Sequence, residues 1–234
     1  MNSTINVNYT WDREAVPAKG ADQVHLLVEW GCGAIHKRKA LVKPKLAGFD
    51  LQLRIIPESG VRVIHKSGPK INPKKADYEQ ETVFHCGHLF NGKHRHAIFV
   101  FFFDKHNSGK QPVATMEWSW HKPLSEKRTV VRSERIYIQF TYHLGLLRPA
   151  ADPRVEKFMR LDESSYVLKK TLRFYEKGKG DEGSCMLRRH ADKLLLMAAR
   201  TGDLDYLHEA EMFLGLQRHW DETYKRSFNT AHKS

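Results

Sequence analysis

Cysteine is scarce. The three in this 234-residue chain, Cys32, Cys86 and Cys185, lie far apart and form no C-x-x-C pair. That excludes a disulfide-framework mini-protein and suits reduced thiols in a cytoplasm. Long apolar runs are missing too. The longest, Ala97 to Phe103, is strand-sized and far short of the roughly 18 residues of a membrane helix. Met1-Asn2-Ser3-Thr4-Ile5-Asn6 has neither a basic n-region nor an apolar h-region, so no signal peptide is expected. No G-x-S-x-G nucleophile elbow occurs. Gly178-Lys179-Gly180-Asp181 lacks the spacing of a phosphate cradle, and His208-Glu209 lacks the second histidine of a zincin helix. What is present is an ordinary globular make-up, with 41% hydrophobic, 28% charged and 11% aromatic residues. This excludes disorder, collagen and a coiled coil along the whole chain, and leaves enough length for a real core.

The net charge of +12 is unevenly placed. Residues 31–75 hold 11 basic and 2 acidic residues, including Lys37, Arg38, Lys39, Lys43 and Lys45. Such a stretch can neutralise phosphates or an acidic protein surface, or stand as a solvated loop. Single-strand recognition would call for interleaved aromatics, and the stretch has one, Phe49.

Up to about residue 147 the hydrophobic period is two. Ile5–Trp11, Val24–Trp30, Leu51–Ile55, Val61–Ile64, Glu81–Phe84, Val113–Trp120 and Arg128–Tyr142 read as strands, with a break at Pro17-Ala18-Lys19-Gly20. Ala97–Phe103 reads as a central strand buried on both faces. Short strands at this spacing imply an antiparallel β-sandwich over residues 1–147. From residue 148 the period becomes 3.6. Asp152 precedes Pro153 as an N-cap before the first helical residue, and Gly178 and Gly180 end that helix. Asp181 opens a second helix closed by Gly202, Asp203 caps a third, and a weaker segment starts at Arg218. The expectation is an α+β chain, a sandwich followed by a C-terminal three- or four-helix bundle over 148–234.

The richest cluster of chemical side chains is His85-Cys86-Gly87-His88 with His94-Arg95-His96. Cysteine and histidine are zinc ligands, and a cysteine beside histidine can imitate a nucleophile pair. The spacing is not that of a zinc finger, so Cys86, His88, His94 and His96 stand as the weaker metal candidates against buried structural cysteine and surface histidines. No cofactor is called for.

One arrangement is more specific. Gly87, Leu89, Gly92 and Arg95 match a G-D-L-x-x-G-x-x-R turn, with His88 in place of the Asp, between Val61-Arg62-Val63 and the strand His96 to Phe103. This resembles the region just after the von Willebrand factor A (VWA) domain in bacterial VWA proteins of the calcium-activated-channel-like type. Trp11 to Trp30 resembles the strands before that domain, and Asp152 to Leu216 the helical tail. The resemblance implies a whole VWA domain of about 180 residues, but only Gly31 to Gly48 lies between the flanks. The D-x-S-x-S metal motif has no counterpart, since Asp162-Glu163-Ser164-Ser165 has the wrong spacing. Metal-dependent adhesion therefore does not carry over.

The expected function is a non-catalytic protein-interaction or scaffold module in a cytoplasmic multi-component signalling or defence system, docking through Lys37, Arg38, Lys39, Lys43 and Lys45, a sheet edge or a helix face. The resemblance implies a protein partner, a MoxR-type AAA+ ATPase or another component of the same system; without a long apolar run no membrane is expected. Nucleic-acid binding through residues 31–75 is the alternative. A metal-dependent enzyme built on Cys86 and its histidines is the second.

Overall fold

The computed structural model describes residues 5–33, 45–67, 81–123, 128–147 and 152–231. The chain is α+β; its described residues form nine strands in two sheets followed by three helices. It divides into two compact units, Met1–Glu156 and Lys157–Ser234.

In the first unit β1 (Ile5–Trp11), β3 (Ala21–Cys32), β5 (Val61–Ser67) and β7 (His94–Phe103) form one sheet in the order β1-β3-β7-β5, every pair antiparallel. The second sheet runs β2-β9-β8-β4-β6, from β2 (Ala15–Pro17), β4 (Leu46–Pro57), β6 (Thr82–Phe90), β8 (Gly109–His121) and β9 (Arg128–Thr141). Of these neighbours, β8 and β9 alone are consecutive along the chain, so the other connections pass between sheets or skip strands.

The alternation read from the sequence explains the core. Val24, Leu26, Val28 and Trp30 of β3 and Phe99, Phe101 and Phe103 of β7 share one buried cluster with Leu53, Ile55, Met116, Trp118, Trp120 and Phe140 of the second sheet. Ring contacts join the two sheets: Trp30 to Trp118 at 5.5 Å, Phe84 to Phe99 at 5.0 Å and Phe103 to Phe140 at 5.4 Å between centroids. Trp118 Nε1 donates to the Tyr9 hydroxyl at 2.8 Å, and burial pushes that phenol up to about 12. Between Ala97 and Phe103 six of seven residues are buried, the both-faces pattern its apolar run implies.

Three expectations need correction. Ala15–Pro17, ahead of the Pro17–Gly20 break, forms a short strand parallel to β9, pairing Val16 with Phe140. The second sheet is therefore mixed, and Pro17 is tolerated because the strand is an edge. The segment from Arg218 is no separate element, because α3 (Leu204–Ala231) runs through it unbroken. Gly180 does not end α1 but is the first residue of α2 (Gly180–Thr201), whose N-cap is Lys179 without a side-chain cap bond; Asp181, read as opening this helix, sits in its first turn, where its charge suits the helix dipole. The other caps are as read. Asp152 Oδ1 accepts from the Arg154 and Val155 amides at 2.9 and 3.3 Å at the start of α1 (Pro153–Glu176). Asp203 Oδ1 accepts from the Asp205 amide at 2.9 Å.

The second unit has its own core, in which Val167 of α1 meets Leu187, Ala191 and Leu194 of α2 and Tyr206, Ala210 and Phe213 of α3. Ser164 Oγ and His190 Nε2, both buried, are hydrogen bonded at 2.9 Å between α1 and α2. Tyr175 of α1 packs edge-on against Trp220 of α3 at 4.2 Å.

Candidate interaction site

Sequence reasoning singled out the basic stretch between Trp30 and Phe49. Lys37, Arg38, Lys39 and Lys43 lie outside the described residues, whereas Lys45 is exposed immediately before β4. The described ends of the stretch are held by one device. β3 stops at Cys32 in one sheet and β4 starts at Leu46 in the other. The turn between β6 and β7 grips both ends: the Asn91 amide donates to the Lys45 carbonyl at 3.0 Å, and the Gly92 amide to the Cys32 carbonyl at 2.7 Å. Two successive amides thus fix both stems of the basic connector.

The four residues that carry the family resemblance build this turn. Gly92 has φ of 72°, a left-handed conformation costly for a residue with a Cβ. Gly87 has φ of 81° and lies where the β4–β6 register slips, with Leu51 opposite Gly87 and Gln52 opposite His85. Arg95 reaches back across this bulge, its Nη1 donating to the Cys86 carbonyl at 3.0 Å. Leu89 anchors the strand in the core. Around the turn, His88, Lys93 and His94 are exposed like Lys45, and the Lys93 ammonium lies over the Phe90 ring at 5.5 Å.

The Gly87 bulge also decides the cysteine–histidine question. Cys86 points into the core at 1% exposure, and burial pushes its thiol up to about 12, so it stays protonated and unreactive near neutrality. His88 and His94 are exposed, whereas His96 is half-buried in register with Glu29. Among the described residues no three histidine, cysteine or acidic side chains converge as a metal site. Cys86, His88, His94 and His96 are not brought together, because the bulge turns Cys86 and His88 to different surroundings.

Two polar clusters were not foreseen. Asp12, 6% exposed, accepts from Arg13 Nε at 3.0 Å and Nη2 at 3.1 Å, and its Oδ2 lies 2.9 Å from His25 Nδ1. Burial works to raise the Asp12 carboxyl, but the bonds from His25 and Arg13 and the guanidinium charge outweigh it and hold it below the usual range. In the second cluster Asp50, at φ 51°, accepts from Gln52 Nε2 at 3.2 Å and lies 3.4 Å from His85 Nδ1, while His121 stacks on Phe49 at 5.2 Å. Neither cluster carries a nucleophile, and both knit neighbouring strands together.

No family model and no curated protein matches the chain. Solved structures do. The chain is similar to a von Willebrand factor type A protein from Catenulispora acidiphila, with a TM-score of 0.50 and 15% identity over 69% of this chain and 38% of that one. It is also similar to the ArnB paralog VWA2 from Sulfolobus acidocaldarius (TM-score 0.39, 12% identity, 71% and 38% covered) and to a cohesin module from Clostridium perfringens (0.35, 7%, 59% and 98%). The chain spans 38% of the length of the first of these structures. At such identity the likeness is one of fold alone.

Proposed function

We propose that the chain is a non-catalytic protein-interaction module, a β-sandwich with a helical bundle resembling the parts that flank a VWA domain, with that domain absent. The element order supports this reading: among the described residues nine strands precede three helices, without the strand–helix alternation that a parallel nucleotide-type fold requires. The match to 38% of a VWA-type structure points the same way. The observation that carries the proposal is the clamp at Asn91 and Gly92, which ties a connector containing Lys37, Arg38, Lys39 and Lys43 to the end of the sheets beside exposed Lys45 and Lys93. Positive charge on a connector anchored at its two described stems, beside Lys45 and Lys93, steers an acidic partner toward this end of the sheets.

The partner is a protein with an acidic face, met in a cytoplasmic assembly. Nothing among the described residues favours an AAA+ ATPase over another acidic protein. No described helix is long and apolar enough to cross a membrane. The protonated, buried Cys86 thiol supports a role without covalent catalysis.

The test uses a fluorescein-labelled Asp/Glu-rich peptide and a duplex DNA of matched charge, titrated against the full chain across a salt series. The variant reverses Lys37, Arg38, Lys39, Lys43 and Lys45 to Glu. Expected is peptide binding that falls at least about tenfold in the variant at low salt and converges with wild type as salt screens the charges. Equal affinity at low salt refutes the proposal. Tighter binding to DNA, with a slope of about −0.9 per neutralised phosphate, replaces it with the nucleic-acid reading.

A further inference from the structure

One face of the α1–α2 hairpin carries Tyr166, Phe174 and Met186 beside two cavities of about 840 and 280 Å³. Both are lined by Glu163, His190 and Lys193, so they form one continuous groove. Along α2 the lining residues recur every three or four positions, from Asp181 through Cys185, Arg189 and Lys193 to Leu196, which is a single helix face. The face bearing Leu187, Ala191 and Leu194 is the one committed to the core with α3. The groove borders that core, with Val167 and Leu194 at its base, but Tyr166 at 64% and Leu196 at 71% exposure leave part of its apolar rim in water. In its floor His190, 4% exposed, bonds Ser164 through Nε2 and has no partner at Nδ1. A hydrogen-bonding group brought into the groove would satisfy that atom.

Charge alternates along each helix of the groove. On α2, Asp181 and Glu182 line the end at the α1–α2 turn and Lys193 the other, whereas on α1 Lys170 lies nearer the turn and Arg160 and Glu163 farther from it. Their present partners are exposed side chains on the same unit, Lys179 for Glu182 at 2.9 Å and Glu163 for Lys193 at 3.8 Å, and exchange readily. The geometry points to a second copy of this chain as the occupant. Turned end for end about a twofold axis across the groove, each copy sets Asp181 and Glu182 toward Lys193 of the other and Lys170 toward Glu163, with Tyr166 near the axis. The two hairpins then form a four-helix layer.

A face of 16 residues is about 24 Å long and two helices make it roughly 20 Å wide. The buried area is therefore about 500 Å² per copy, or about 1,000 Å² in all, in the range of weak and transient association, for which a dissociation constant in the micromolar range or weaker is expected. Sedimentation velocity of the full chain over about 1 to 200 µM, bracketing that range, tests it. Expected is a concentration-dependent monomer–dimer equilibrium. Leu196→Asp, at an exposed position that leaves the monomer core untouched, raises the dissociation constant at least tenfold. Glu182→Lys alone weakens the dimer, and adding Lys193→Glu restores it, while thermal melts of the variants match wild type. A monomer at every concentration overturns the proposal and leaves the groove to a helix of another protein. A dimer indifferent to Leu196→Asp, or a charge swap that fails to restore association, overturns it as well.

Discussion

Replacing Asp12 by Asn tests whether the buried carboxylate holds the β unit together. Asn keeps the shape and one acceptor oxygen but loses the charge. The bond to His25, at 2.9 Å between side chains that are both buried, is the major loss. Breaking a bond to a buried charged group costs about 1.5–3 kcal/mol. The two bonds from Arg13, whose side chain is 35% exposed, are solvent-screened and add less than about 1 kcal/mol. The expected destabilisation is about 2–3 kcal/mol at pH 7, or roughly 5–10 °C in Tm for a unit of this size. Urea unfolding followed by tryptophan fluorescence reads it, because Trp11, Trp30, Trp118 and Trp120 all lie in the first unit and Trp220 alone in the second. The pH dependence identifies the cause. Asp12 titrates lower in the folded than in the unfolded chain. Its contribution is therefore complete above the unfolded carboxylate value of about 3.9 and disappears as pH falls through the lower folded value. Wild type and Asp12→Asn must converge on acidification. A gap that persists unchanged in acid, or coupling below about 0.5 kcal/mol in a double-mutant cycle with His25→Gln, refutes the reasoning.

Two further outcomes follow from the buried groups. An alkylating reagent at pH 8 modifies the exposed Cys185 and spares Cys32 and Cys86 until denaturant is added, because the latter two are buried and Cys86 is pushed up to about 12; mass spectrometry counting rapid labelling of Cys86 in the native chain would contradict this. Burial chiefly lowers the His190 pKa, so the folded helical unit disfavours the proton that the unfolded chain accepts below about pH 6.5. Its stability is complete above that value and falls as pH drops toward the lower folded value, a slope that His190→Gln should flatten in pH-dependent melts monitored at Trp220.

The sequence made legible whatever its local physics dictates. The apolar run at Ala97–Phe103 admits no exposed face and sits at the centre of its sheet between β3 and β5. Asp152-Pro153 and Gly202-Asp203 pair a stop with a start, and each works as a helix boundary. What escaped reading depends on distant partners. Ala15–Pro17 is too short to show a period, and it is a strand because β9 offers Gln139 to Thr141 beside it. Gly180 has the identity of a helix stop, yet with the αL turn already made at Gly178 it starts α2, one residue before Asp181. The polar composition after Arg218 hides a helix whose earlier residues, Tyr206, Ala210 and Phe213, supply its packing. At the site, spacing of two places Cys86 and His88 on one strand face. The positive φ of Gly87 inserts a bulge that hydrophobic alternation does not report. The Asp12–His25 pair joins strands whose alternation gives no reason to couple those two residues.

The clamp at Asn91 and Gly92 bears on why such a chain would keep its fold with or without an inserted domain. Successive amides are held about 3.8 Å apart along the backbone, so the Cys32 and Lys45 carbonyls they bind are near neighbours. A connector between such stems closes a loop. Lengthening it to about 180 residues adds roughly (3/2)RT ln 15, about 2.4 kcal/mol, even for a structureless insert. A folded insert whose termini lie together adds less. Loop closure alone therefore sets only a weak limit on the length of the connector.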